Sequence, residues 1–279
     1  VKGFNRTFDS FFMQEKSNFT KSYSENTLED ESISLLEWDS LKRHLSSFAS
    51  TEMGKRAILT FEIPSEYEVS KRLLNETVEI TELENNLDKS ISFSDVFDIS
   101  RNIEICSKGG VILSADLLEI AKTIAVARYL KKILLDFEKR PFISLLTKNL
   151  IDHKNIEMIL KNGIESNGRI SDNASSELSF LRKELFSKKL ERKILVEKLI
   201  QKNLAYLQDT TIGDRYGRPV LAVKVNYVDK FKGIIHDSSS SGNTVYFEPD
   251  SLVNKGNKIA SLEARVTAEE FKLRQKWSQ

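Results

Sequence analysis

Apolar residues recur at three- and four-residue steps through the first 160 positions, a register that predicts a succession of helices. Leu35, Leu36, Trp38, Leu41, Leu45, Phe48 and Ala49 form the first such series and are expected on one buried face, with Gly54 as the place where that helix bends or ends. Pro64 separates it from a second helix, for which Ser65 is a plausible cap and Val69, Leu73, Leu74, Val78, Ile80 and Leu83 are the core positions. Gly109-Gly110 predicts a turn. Beyond it Ser114 is expected to cap a helix with Asp116 in its first turn and Leu117, Leu118, Ile120, Ala121, Ile124, Ala125 and Leu130 inside. Pro141 opens a further element that ends in the 149–155 region. Asn167-Gly168, between β-compatible runs at 163–165 and 169–171, predicts a type I′ hairpin turn, because both central residues of that turn need positive φ.

Asp172, Asn173, Ser175 and Ser176 offer several caps for a long helix, since 174–207 contains neither Pro nor Gly. At ~1.5 Å per residue such a helix would span roughly 50 Å. Its apolar positions, Leu178, Leu181, Leu185, Leu190, Ile194, Leu199, Leu204 and Leu207, make an imperfect seam with an offset after Leu185. The segment from 250 onward is more regular. Leu252, Ile259, Leu262, Val266 and Leu273 are spaced by seven, three, four and seven, as a heptad seam requires, with Glu269 interrupting it. Two helices with one narrow apolar stripe each are expected to pack antiparallel as an arm. The charged runs Lys188-Lys189 and Glu191-Arg192-Lys193 are expected on its solvated side. No helix stop signal precedes Gln279, which predicts a piece of a longer protein.

Between the two helices the period changes to two. Thr210–Ile212, Pro219–Val225, Gly233–His236 and Thr244–Phe247 read as strands of an antiparallel meander, with turns at 214–217 and 229–232 and a loop at 238–243. The fold class is therefore mainly α with a small antiparallel β insert. A leader at 1–27 precedes a helical core at 28–172, an outgoing helix at 173–208, the insert at 209–249 and a returning helix at 250–279.

Composition narrows the function classes. The formal net charge of +1 conceals 19 Lys+Arg against 14 Asp+Glu in residues 171–279, and 23 against 27 in the rest, a mild bias of the arm towards anionic partners. Cys106 is the only cysteine, which excludes an intrachain disulfide and a CxxC metal site and fits a reducing cytoplasm. No apolar run approaches the ~20 residues of a membrane span.

Catalytic signatures are missing. There is no phosphate-binding Gly-x-x-x-x-Gly-Lys-Ser/Thr loop, no Gly-x-Gly-x-x-Gly and no His-Glu-x-x-His, and His44, His153 and His236 lack metal-ligand spacing. His236-Asp237 beside Ser238–Ser241 has the groups of a hydrolytic triad, but neighbours on a strand point to opposite faces and cannot orient each other. The alternative is a polar loop. The Ser-rich run Ser238–Asn243 is either an anion-binding nest or a connecting turn. Arg218, Val220, Ala222 and Lys224 share one face of their strand, which is either a basic contact face or a charged guard against edge aggregation. The candidate contacts for an anionic partner are Arg215, Arg218, Lys224, Lys230, Lys232, Ser239, Ser241 and Asn243.

Four segments carry a resemblance: Trp38-Asp39-x-Leu41 through Met53-Gly54, Lys108-Gly109-Gly110-Val111-x-Leu113-Ser114, Asn167-Gly168-Arg169-Ile170-x-Asp172-Asn173-Ala174-Ser175-x-Glu177-Leu178, and Arg215–Pro249. In this order and spacing they resemble the second bacterial branch of the MutS family, which lacks the mismatch-recognition domain. The resemblance covers about residues 30–279. It implies that the helical region is a core or lever domain and the β insert a clamp. It also implies a dimeric ATPase domain with ATP and Mg beyond Gln279, usually followed by a nuclease domain, and a role in suppressing recombination through branched DNA or in splitting stalled ribosomes. Tyr246-Phe247-Glu248 differs in order from the Phe-x-Glu wedge of the other branch and belongs to a different domain. The competing expectation is a coiled-coil module that binds proteins only and never touches nucleic acid.

Overall fold

The computed structural model describes residues 32–87 and 90–279; the expected leader lies outside the described residues. The fold is mainly α with one small four-stranded antiparallel sheet, as the two periodicities predict. It divides into two units, one of residues up to 169 together with 275–279, the other of residues 170–274.

The first unit holds helices α1 (Trp38–Ser46), α2 (Glu52–Leu59), α3 (Tyr67–Asn85), α4 (Ser100–Ser107), α5 (Ser114–Leu134), α6 (Pro141–Thr147) and α7 (Lys154–Gly163). Leu117 and Ala121 of α5 pack on Leu160 of α7, with Ile112, Ile164 and Trp277 against them. Leu83 of α3, Leu134 of α5 and Ile143 of α6 form a second cluster. Buried Glu79 accepts the backbone N–H groups of Phe142 and Ile143 at 3.2 and 2.8 Å, so a carboxylate from α3 satisfies the amino end of α6.

Several expectations change here. The first apolar series is interrupted at Glu37, whose φ of 51° is left-handed, and Leu35, Leu36, Leu41, Leu45 and Phe48 are exposed. Periodicity reports that a helix is amphipathic, not that the chain supplies something to cover the face. Gly54 lies in the first turn of α2, where its N–H donates to the Thr51 cap at 3.0 Å, and so begins a helix instead of ending one. Ser65 does not cap α3, which starts after Glu66 without a side-chain cap. Nor does Ser114 cap α5. Asp116 accepts from Leu113 N at 3.2 Å, while Ser114 Oγ donates to the Gly168 carbonyl at 2.6 Å. Helix α7, with no Gly or Pro signal before it, is an element the sequence reading passes over. At Asn167-Gly168 only Gly168 has positive φ, 82°, and the Glu165 N–H bonds the Arg169 carbonyl at 2.8 Å. That pattern is a three-residue hairpin loop closed by a left-handed glycine, not type I′.

The second unit begins with a 3-10 turn at Asp172–Ala174 and then α8 (Ser176–Asn203), capped by Ser175 Oγ, which accepts from Leu178 N at 3.0 Å. The helix is 28 residues, roughly 42 Å long, shorter than expected because the chain tightens into a 3-10 turn at Leu204–Tyr206. Strands β1 (Gly213–Arg215), β2 (Arg218–Lys224), β3 (Gly233–Ser238) and β4 (Thr244–Pro249) follow, with a 3-10 stretch at Val225–Lys230 between β2 and β3, and α9 (Asp250–Trp277) completes the chain.

Leu178 and Leu181 of α8 and Ile259, Leu262 and Leu273 of α9 are buried, at about 1.5–3 kcal/mol for each side chain fully removed from water. Ion pairs join the two helices: Glu177 to Arg265 (3.1 Å), Glu184 to Lys258 (3.7 Å), Glu191 to Lys255 (2.9 Å), Arg182 to Glu270 (2.6 Å) and Lys189 to Glu263 (2.6 Å). Within each flank (Glu177, Glu184, Glu191 and Arg182, Lys189) the partners on α9 fall in number as those on α8 rise, so the helices run antiparallel. Lys189 and Glu191 thus bridge the helices from the solvated rim of the arm, their side chains remaining 47% and 40% exposed. Glu269, which interrupts the apolar seam, accepts from the capping Ser175 hydroxyl at 2.9 Å. The offset in the α8 seam also has a cause. Val196 and Ile200 turn to the core under the sheet, with Leu207, Leu221, Val223, Phe247 and, from the first turn of α9, Leu252, while Leu190 and Ile194 stay exposed.

Candidate functional site

The sheet order is β1-β2-β4-β3, all antiparallel, so β4 inserts between β2 and β3 and the insert is not a meander. The register sets Leu221 opposite Phe247 and Lys224 opposite Thr244, and Gly233 opposite Pro249. Strand β3 therefore begins at the end of the sheet where β2 begins. The predicted contact residues divide accordingly. Arg215, Arg218 and Lys232 lie at one end, and Lys224 and the Ser239–Asn243 loop at the other.

At the first end Arg215 stands opposite Arg218, a like-charge pair that costs energy unless each is neutralised. Each has its own carboxylate. Arg215 Nε reaches Asp237 at 3.3 Å, and its guanidinium lies 3.8 Å from the centre of the Tyr246 ring. Arg218 Nη1 donates to both oxygens of Glu248, at 3.1 and 3.3 Å, and Nη2 donates to Asn257 of α9 at 2.7 Å. Glu248 is fully buried, 0% exposed, and its Oε2 is also 2.7 Å from His236 Nε2. A β-bulge between Ile235 and Asp237 makes room for this, because the extra residue, His236, is released from the alternation of the strand.

His236 and Asp237 thus serve different partners, Glu248 and Arg215. No Ser of the 238–241 run is bonded to either ring nitrogen of His236. The arrangement holds a buried carboxylate and offers no nucleophile.

At the other end the loop bonds inward. Ser239 N donates to the Thr244 carbonyl at 2.8 Å, Gly242 N to the Ser239 carbonyl at 2.8 Å and Thr244 N to Ser239 Oγ at 3.1 Å. These N–H groups are spent on closing the β3–β4 hairpin, which favours the connecting turn over the anion nest. Ser241 and Asn243 are exposed, and Val225 N bonds the Asn243 carbonyl at 3.1 Å. Lys224 Nζ donates to the Ala205 carbonyl at 3.2 Å, and Lys230 Nζ lies 4.5 and 5.3 Å from the ring centres of Tyr206 and Tyr227. Lys232 is exposed.

Sequence reasoning misses two features of this surface. In the sequence Glu248 stands out only within Tyr246-Phe247-Glu248; its adjacency to Phe247 and Pro249, in a strand end with every position buried, is the available signal. Tyr216 reads as an ordinary member of a turn. It and Gly217 both have positive φ, 55° and 75°, and make the two-residue connection of β1 to β2. Among the described residues no group of His, Cys, Asp and Glu is placed to hold a metal ion, and no helix is long and apolar enough to cross a membrane.

No family model matches the chain. Among curated proteins it is 30% identical over 247 residues to Endonuclease MutS2 of Synechocystis sp., which covers 88% of this chain and 30% of that protein. It is 31% identical over 249 residues to Endonuclease MutS2 of Clostridium perfringens and 33% identical over 250 residues to that of Clostridium botulinum, each covering 87% of this chain and 31% of the relative. The chain therefore spans about 30% of the length of the relatives it matches. Similarity over so much of the chain supports a MutS2-type family for it.

Proposed function

We propose that this chain is the lever-and-clamp segment of a MutS2-type protein, in which the sheet grips nucleic acid, as branched DNA or as ribosomal RNA in a stalled ribosome, and the α8–α9 arm transmits motion to it. The observation that carries this reading is the sheet itself, seated where α8 hands over to α9 through the shared core of Val196, Ile200, Leu221, Phe247 and Leu252. A movement along either helix reaches the strands through packed side chains and not through a loose linker. The motion would come from ATP and Mg bound in another part of the protein, and the nuclease activity in the relatives' name would reside outside these residues. A homodimeric, cytoplasmic protein completes the reading. Lys224, Lys230, Lys232, Arg215, Ser239, Ser241 and Asn243 are the proposed contacts, with Arg218 holding Glu248 at the Arg215 end of the sheet.

A second reading is a coiled-coil module for protein partners alone. It is favoured by the exposed stripe Phe186, Leu190 and Ile194, spaced by four on α8. Salt separates the two. Phosphate contacts make log K fall linearly with log salt, whereas an apolar helix interface is nearly insensitive. Binding of the chain to a four-way DNA junction and to ribosomes should weaken steeply between 50 and 200 mM salt, on the order of tenfold or more. Alanine at Lys230 and Lys232 should reduce the slope by about one for each phosphate that the lysine neutralises. A flat salt response, or unaltered slopes in these variants, would favour the protein-only module. ATP hydrolysis by the isolated chain would overturn the division of labour.

A further inference from the structure

Tyr216 is 92% exposed at the tip of the β1–β2 hairpin, with a left-handed backbone that a bulky residue adopts only at a cost. Asn, Asp or Gly would occupy that position more easily. The turn beneath the ring is braced. Asp214 Oδ1 accepts from Gly217 N at 3.0 Å, Arg215 is tied to Asp237 and stacked on Tyr246, and Arg218 is locked on Glu248. Space around the tip is open, since a Cβ built on Gly217 meets nothing within 4 Å. A strained, rigid mount carrying an aromatic ring into solvent is poorly explained by stability. At the same end of the sheet stands the exposed Lys232, two strands away from β2, on the order of 10 Å at the ~4.8 Å strand spacing.

We infer that Tyr216 is a base-stacking residue, which takes the face of an unpaired or splayed nucleotide while Lys232 meets a neighbouring phosphate. This rests on the nucleic-acid reading above and sharpens it: the clamp would select strands with accessible bases over continuous duplex. Every base offers a π face, so stacking is tolerant of sequence, and the ring needs no hydrogen-bonding partner to hold it. A duplex hides those faces. Branch points, bulges and ribosomal RNA loops expose them.

The test uses the whole chain with Tyr216→Asn, which removes the ring but suits the turn, and Tyr216→Trp, which keeps a stacking surface. Affinities are measured by anisotropy for a blunt DNA duplex, the same duplex with an unpaired DNA loop and an RNA hairpin loop of equal charge, each loop carrying 2-aminopurine. Tyr216→Asn is expected to weaken loop binding about tenfold and abolish the 2-aminopurine quenching, with duplex affinity unchanged and thermal stability kept. Tyr216→Trp should retain both signals. Loss confined to the DNA or to the RNA loop identifies which source the site serves. Equal loss on duplex and loop, or no loss on either, overturns the stacking role while leaving nucleic-acid binding by Lys230 and Lys232 standing. Failure of the unaltered chain to bind any of the three overturns the nucleic-acid reading, and the stacking role with it.

Discussion

Gly233 passes so close to Glu248 that a Cβ on it would sit 2.1 Å from the Glu248 carbonyl oxygen and 2.8 Å from Pro249 Cα. Its φ of 155° adds to the demand for glycine. Gly233→Ala should therefore push β3 off β4, with a cost of at least about 1–3 kcal/mol for forced overpacking. Gly217→Ala meets no neighbour and carries only the positive-φ penalty, about 1–2 kcal/mol. Urea unfolding should rank the two in that order, and hydrogen exchange should show early opening of β3 only in Gly233→Ala. Equal losses would mean that the close approach is not what holds the residue.

The Arg218–Glu248 pair makes a second, sharper claim. Arg218→Ala leaves a carboxylate at 0% exposure with His236 as its remaining side-chain partner, and removing one member of a buried pair costs about 3–5 kcal/mol. Replacing both, as Arg218→Met with Glu248→Leu, should recover most of that loss. Chemical denaturation of the single and double variants reads the coupling directly. If the double variant is no better than Arg218→Ala, the charge is not the source of the penalty. Recovery of stability and of nucleic-acid binding together in the double variant, which also lacks the guanidinium, would mark any loss of binding in Arg218→Ala as a folding effect and not the removal of a phosphate ligand.

What the sequence disclosed, and what it hid, follows from the range of the interactions involved. The α9 seam was legible because its residues need only their own spacing. Leu252, Ile259, Leu262 and Leu273 are all buried. The cap at Ser175 and the strands β2, β3 and β4 were legible for the same reason, whereas the first strand, expected at Thr210–Ile212, lies at Gly213–Arg215, where the sequence reads as the start of a turn. The pairing of β4 with β2 was not, because strand order depends on residues far apart along the chain. The bulge that turns His236 towards Glu248 arises only once that pairing exists. The first apolar series shows the converse, since its pattern is helical but its cover is not supplied by the described chain.

Acid should loosen the first unit through Glu157. Arg128 hydrogen-bonds its carboxylate at 3.0 and 3.1 Å and Lys161 at 3.0 Å, and these bonds hold its pKa below the usual 4.5 against the opposing effect of burial. A folded-state pKa below the unfolded one contributes stability that is present above 4.5 and is lost as pH falls through the lowered value. Glu157→Gln should thus be less stable than the parent at neutral pH, by about 1–3 kcal/mol, and the gap should close on acidification below about pH 4.5. Melting curves across that range check it. A gap that widens in acid would reverse the sign and refute the assignment.

Charge reversal in the arm gives a fourth test. Glu184→Lys with Glu177→Lys sets like charges against Lys258 and Arg265, at a cost of about 1 kcal/mol, since exposed ion pairs are individually worth about 0.2–1 kcal/mol. Adding Lys258→Glu and Arg265→Glu should restore the parent midpoint. Failure of the compensating pair to rescue would show that the ladder is incidental.

That ladder has an effect out of proportion to its energy. On α8, Glu177, Glu184 and Glu191 line one flank of the seam at seven-residue spacing, and Arg182 and Lys189 line the other; on α9 the basic flank is Lys258 and Arg265 and the acidic flank Glu263 and Glu270. Antiparallel packing matches acid to base on both sides. Parallel helices exchange the flanks and would match acid to acid and base to base. The apolar stripe supplies adhesion in either direction, so the charges carry the arrow. A parallel pairing of α8 with α9 would set like charges against each other, so the returning helix is steered to run back along the outgoing one.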